Sequence, residues 1–370
     1  KVADVDSEGK VTAVAAGTAT ITAMAGMQAA ICTVTVNDEP ETCIDLSSSG
    51  TANSYIVSKS GTYKFSTVKG NSSESVGAVS SAEVLWETFG TDVMPNVGDL
   101  IKEVGYKNGY VYFSTPETFR NGNASIAVRN SKDVILWSWH IWCSEEGWND
   151  HIYANNAGTM MDRNLGATSA TPGDVGAFGL IYQWGRKDPF MGSGAMSGAT
   201  LALSTGSWSV VSNQYTMLYA ELNPTSLIIS DNWKGSDTSG YGWRTSESDK
   251  GLYDPCPKGY RIPDGGENGF WATANVQCLG DSTNSGIHWT LADGETTAWY
   301  PGTGYRNGNS GALEDVGLYG YYWSASHTSE KNYSYYFYFN KNNGFIALDR
   351  KKTCTCGFPV RCVKEETNNM

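Results

Sequence analysis

A period of two along the chain is the strongest constraint on its fold. In Asn332–Asn340, NYSYYFYFN, residues Tyr333, Tyr335, Phe337 and Phe339 share one face of any strand. Ser334, Tyr336 and Tyr338 share the other. One buried face accounts for half of those rings and leaves the rest to be explained. Alternation recurs in GKVTAVAAGTATITAMA, AAICTVTV and YKNGYVYF, and Asn108-Gly109 is a tight hairpin signal. Charged residues make up 17% of the chain and Gly numbers 42, so many short strands joined by turns are expected rather than long helices. The class that follows is mainly β.

Net charge excludes one large group of partners. At −12 the chain has nothing to neutralise phosphates, so nucleic acid is not expected. No apolar run reaches the length of a membrane span, and no transmembrane segment is expected in this chain. Tyr (21) and Trp (13) outnumber Phe (11), a bias that suits half-wet binding surfaces. Eight cysteines without C-x-x-C, and four scattered histidines, do not make a zinc site. An oxidising compartment with one to three disulfides is the expectation, and a reduced cytosolic chain is the alternative. The opening KVADVDSEGK reads as the interior of a longer chain.

Residues 1–38 hold three short alternating runs, with Gly9 and Gly17 at turns. VADVDSEGKVTAVAAGTATITA resembles the last half of a bacterial immunoglobulin-like domain of the intimin and invasin type. The resemblance implies a spacer in a surface protein. NDEPETC is the natural linker. Residues 44–150 carry strand-like runs spaced for a β-sandwich, although WHIWCSEEGWNDHIYANNAG suits either neighbour. The third region, 151–366 with a tail at 367–370, is more irregular. It offers one helix in DVGAFGLIYQWGR, with Asp174 as N-cap, a Ser/Gly-rich loop excursion over Met191–Lys250, and a short helix near GENGFWATANV.

In this region MMDRNLGAT, LIYQWGRKDPF, YDPCPKGYRIP, GYYWSAS and GFPVRCVK follow one another. In that order they resemble the C-type-lectin-like domain of Bacteroides-type surface and fimbrial adhesins, which is related to the Fibrobacter major paralogous domain. GTANSYIVSKSGTYKF and VILWSWHIW resemble the segment that usually precedes it. The resemblance implies immunoglobulin-like and β-sandwich units followed by an α+β lectin-like fold. It places Cys256 and Cys362 where a disulfide would tie the first and last elements together. Cys278 with Cys354 or Cys356, and Cys32 with Cys43, are weaker pairings, and Cys143 has no assigned partner. Arg163, Arg261 and Arg361 are expected to be internal, and Trp184 and Trp323 to be core.

Other signals carry less. WND at Trp148–Asp150 lies outside the closing strands and matches a calcium-dependent sugar signature by coincidence. Asp231, Asp237, Asp249 and Asp254 lack EF-hand spacing and read as solvated loop acids, so no metal and no cofactor are expected. No H-E-x-x-H, G-x-S-x-G or triad pattern appears, and no catalytic residue is assigned.

The expected function is therefore a non-catalytic adhesin or pilus-tip subunit at the bacterial outer surface. It would bind a host or bacterial glycan or protein, and it would join pilus shaft subunits. A stalk component without its own ligand is the second reading, and an enzyme of the formylglycine-generating-like fold the third. Trp323, Tyr335, Phe337 and Phe339 are expected to be core. The resemblance puts ligand-facing residues in the closing segment. The expected exposed patch is His327, Asn332, Tyr333, Tyr336, Tyr338, Asn342 and Asn343, joined by Tyr305 and Arg306.

Overall fold

A computed structural model of the chain describes all residues except 27, 37–42, 206–207, 213–215, 230–232, 234–241, 245–248, 278–282, 331 and 366–370. The protein is mainly β, with 43% strand and 5% helix, and divides into two units, Lys1–Ile44 and Asp45–Met370.

The first unit contains two antiparallel pairs. Ala3–Val5 pairs with Val11–Ala13, and Gly17–Ala25 pairs with Gln28–Val36 in a register that sets Ile21 opposite Cys32. Gly9 and Gly17 take positive φ at the turns, as expected. Within the described residues of this unit the sheet faces stay open, with Met24 and Ile31 more than two-thirds exposed.

In the second unit, two four-stranded sheets form a sandwich. One orders the strand Cys43–Asp45, within which the second unit begins, then Thr62–Ser66, Tyr110–Ser114 and Glu103–Lys107; the other orders Ser54–Val57, Ile135–Cys143, Gly122–Arg129 and Ser81–Thr88. Asn108 and Gly109 both have positive φ, so the hairpin turn they signalled is formed. Tyr55, Phe65, Phe113, Ile126 and Trp139 fill the space between the sheets.

From Asp150 onward the strands join other sheets. Asp150–Tyr153 leads a four-stranded sheet that ends with Val363–Lys364 and Tyr260–Arg261, and Ile181–Gln183 lies in a five-stranded sheet beside Gly357–Pro359. The closing sheet is Tyr319–His327, Tyr333–Asn340 and Phe345–Thr353, antiparallel throughout. No sheet spans Cys143 to Asp150, yet the core does. Trp86 and Trp142, on the sandwich strands Ser81–Thr88 and Ile135–Cys143, belong to the same buried cluster as Leu165, Trp184 and Phe358. Buried hydrogen bonds follow them: Trp142 Nε1 donates to Ala167 O at 3.0 Å, Ser54 Oγ to Pro255 O at 2.6 Å and Asn53 Nδ2 to Leu252 O at 2.7 Å. Sandwich and C-terminal region are one compact unit.

Three local expectations need correction. DVGAFGLIYQWGR forms only a 3₁₀ turn, Val175–Ala177, before the strand Ile181–Gln183. Asp174 does cap it, accepting from Gly176 N at 2.9 Å. Gly179 then turns the chain at φ +71°, where a Cβ would lie 2.7 Å from Leu165 O, and the helix cannot continue. The stretch Met191–Lys250 is no solvent excursion at its described residues. It carries the helix Met217–Leu222, capped by Thr216, and buries Trp233 and Trp243, whose indole N–H groups donate to Trp184 O and Arg186 O. Tyr335, expected in the core, is only half-buried, near the start of the middle strand of the closing sheet. The short helix Phe270–Thr273 is present.

Cys256 and Cys362 form a disulfide across 106 positions. Closing a loop of that length stabilises the fold by roughly 4 to 5 kcal/mol in the chain-entropy model. Cys32, Cys143, Cys354 and Cys356 are thiols, so the Cys32–Cys43 pairing is not formed. Cys278 itself lies outside the described residues. Arg163 pairs with Asp162 at 2.7 Å, Arg261 with Asp264 at 3.1 Å, and Arg361 donates to Asn164 Oδ1 and Trp299 O, so all three are internal.

Candidate ligand-binding surface

The closing sheet is a middle layer between two aromatic cores. On one face Phe337 stacks on Trp271 at 5.0 Å and meets Trp289 at 5.5 Å, while Phe339 stacks on Tyr322 at 6.2 Å. On the other, Phe358 touches Trp323 at 4.1 Å, Tyr336 at 5.0 Å and Tyr321 at 5.2 Å. Tyr336 is 5% exposed and Tyr338 9%. The surplus rings therefore form a second core, not an exposed patch, and the expectation for Tyr336 and Tyr338 is overturned.

Tyr305 and Arg306 are also buried. The Tyr305 hydroxyl donates to Glu314 at 2.5 Å, and its ring lies 4.7 Å from Tyr321. The Arg306 guanidinium donates to Met191 O, Gly311 O and Thr200 Oγ1, and sits over the Trp208 ring at 4.1 Å. All its hydrogen-bonding edges serve the fold, so neither residue is available to a ligand. His327 is half-buried edge-on to Trp184 at 5.3 Å. Asn332 turns the chain at φ +69°, its carbonyl accepting from Cys354 N. Tyr333 is half-buried. Asn342 and Asn343 are exposed as expected, in a turn where Asn340 Oδ1 accepts from Asn342 N and Asn343 Oδ1 from Phe345 N.

What reaches the surface here is a cluster that the alternation did not point to. Phe345 and Tyr338 have centroids 6.2 Å apart, and Tyr338 stacks on Tyr319 at 5.8 Å. Phe345 is 48% exposed. The Arg350 guanidinium lies 4.5 Å from the Tyr338 centroid and 5.6 Å from that of Phe345.

A register shift makes this possible. Phe339 pairs with Ile346 and Tyr338 with Ala347, a register that would continue to set Asp349 opposite Tyr336. One extra residue between Tyr336 and Tyr338's partners puts Arg350 there instead. In that position the Arg350 guanidinium lies over the Tyr338 and Phe345 rings. Sequence carried the ingredients, but only the bulge reveals the side on which they meet.

A concavity of about 670 Å³ runs along the seam between the sandwich and the C-terminal region, lined by Thr51, Asn71, Ser72, Lys250, Lys258 and Glu365. Its polar groups are mostly spent on closing the seam. Lys250 Nζ donates to Cys256 O and Pro257 O, and Asn71 Nδ2 to Gly251 O and Asp254 O. Asp254 accepts from Cys256 N and Ile262 N, and burial raises its pKa to about 6 against the opposing pull of Lys250. Asp254 is thus a structural acceptor rather than a solvated loop acid. Asp231 and Asp237 lie outside the described residues. Among the described residues no group of three or more Asp, Glu, His or Cys is placed to hold a metal ion. Comparison with protein-family models, curated proteins and solved structures finds no match to this chain.

Proposed function

We propose that this protein is a non-catalytic adhesin or pilus-tip recognition subunit at a bacterial outer surface. Its first unit is then an immunoglobulin-like spacer, and its C-terminal region a C-type-lectin-like domain that binds a glycan or protein. The observation that carries the reading is the Tyr319–Tyr338–Phe345–Arg350 cluster, where a large ring and a stacked guanidinium stand in solvent beside two exposed asparagines. Aromatic and arginine side chains dominate binding energy at recognition surfaces, and Asn adds adaptable hydrogen bonds. The Cys256–Cys362 disulfide supports an oxidising, extracellular location.

The test is a binding array of surface glycans and extracellular-matrix proteins probed with the full chain. A reproducible ligand whose signal disappears in Phe345→Ala supports the proposal. No ligand on either array, or a ligand indifferent to Phe345→Ala, overturns it.

A further inference from the structure

Building on that recognition reading, we propose that the ligand of the cluster is an acidic saccharide, a sugar carrying a carboxylate that Arg350 receives while Phe345 packs on the ring face. In a chain of net charge −12, Arg350 has no carboxylate within ion-pair distance among the described residues.

Its neighbours' acids are already engaged. Glu330 pairs with Lys351 at 2.8 Å. Glu314 accepts from Tyr305 and Asn307, and Asp315 accepts from Tyr321 at 2.6 Å. Asp349 is displaced from the position opposite Tyr336 by the bulge. An exposed guanidinium keeps its hydration and usually a counter-ion. This one is held over two rings, opposite Tyr336 in the neighbouring strand, and is exposed to solvent. That posture is preorganised for a planar, two-oxygen anion, since the fork of N–H donors matches a carboxylate in a bidentate pair.

The rest of the surface selects the scaffold that carries the acid. Phe345 offers a half-exposed apolar face, which suits the flat C–H face of a pyranose. Asn342 and Asn343 lie one turn away and present amides suited to hydroxyl groups. An acidic peptide would also satisfy Arg350 and could pair along the edge strand Phe345–Thr353, so it is the competing occupant that the test must separate; the half-exposed Phe345 ring beside the exposed Asn342 and Asn343 is what suits a sugar. The observations favour the sugar.

The experiment measures affinity of the full chain for uronic-acid- or sialic-acid-terminated oligosaccharides and for the same oligosaccharides with the carboxylate reduced to the alcohol. Sulfated oligosaccharides and a Glu-rich peptide are run beside them. The expected result is a preference of about tenfold or more for the carboxylated form, lost in Arg350→Gln. Phe345→Ala should weaken both forms alike. Near-UV circular dichroism of each variant checks that these exposed changes leave the fold intact.

Equal affinity for acid and alcohol, a preference retained in Arg350→Gln, or tighter binding of the sulfated sugar or the peptide overturns the inference. A neutral ligand that still depends on Phe345 would sink the acidic-sugar inference and leave the recognition reading standing. No ligand at all removes both.

Discussion

Trp323 and Phe358 stack with ring centroids 4.1 Å apart on one side of the closing sheet, while Phe337, one position along from Trp323's strand partner Tyr336, stacks on Trp271 on the other side. A sheet loaded on both faces leaves no free ring face along its middle strand. Exposed ring and guanidinium surface is found instead on the edge strand, at Phe345 and Arg350.

Truncating the middle strand should therefore unfold the protein rather than spare it. Tyr336→Ala is expected to destabilise by roughly 3 to 5 kcal/mol, as large-to-small changes of buried aromatic residues do. Phe345→Ala, at an exposed position, should stay within about 0.5 kcal/mol of the parent. Denaturant melts of both variants check this, and equal midpoints would contradict the two-core description.

A fragment that begins at residue 151 should not fold on its own. It lacks Trp86 and Trp142, which fill the core around Trp184 and Phe358, and it exposes the carbonyls that Ser54 and Asn53 satisfy. A fragment covering 45–370 retains both. Limited proteolysis should degrade the shorter fragment quickly and leave the longer one resistant.

Mapping of non-reduced peptides should recover a Cys256–Cys362 pair. Cys354 should resist alkylation in the native state, because burial pushes its thiol up to about 12 despite the hydrogen bond to Ser334. Rapid labelling of Cys354 at neutral pH, with the fold intact, would contradict its placement.

Two fully buried groups of opposite sign, His140 and Asp254, act on stability across the mildly acid range. Burial lowers the His140 pKa to about 3, its ring held between Ser54 and Asn123, so its contribution is present above its ordinary value of 6.5 and is lost as pH falls. Asp254, raised from 3.8 to about 6, acts the other way, contributing more as pH falls through that window. Each group shifts stability by about 1.4 kcal/mol per pH unit where only one of the two states, folded or unfolded, is titrating. The two effects oppose one another between about pH 6 and 4, so wild-type stability should be nearly level there and fall below it. Asp254→Asn removes the opposing group and should turn the plateau into a steady decline. Matched thermal melts from pH 3.5 to 7 test this; a plateau that survives the substitution contradicts it.

Some features were legible because they depend on neighbours in sequence. The Asn108-Gly109 hairpin, the Asp174 cap and the strands of the first unit follow from local dihedral preference and alternation. The family resemblance, not spacing, pointed to Cys256 and Cys362. The long-range relationships were not legible. Alternation showed two ring-bearing faces on Tyr333–Asn340, but a period of two cannot say whether the second face meets water or another layer.

The sequence by itself determined a mainly β chain of short, Gly-turned strands with rings on both sides of its closing segment, because strand pitch and turn chemistry are local. Tertiary structure alone decided that both ring faces are core, that Trp86 and Trp142 weld the sandwich to the C-terminal region, and that Arg350 rather than Asp349 lies over the surface rings. Those outcomes depend on which distant elements share a volume and on a single-residue bulge. Neither leaves a mark on residues adjacent in the chain.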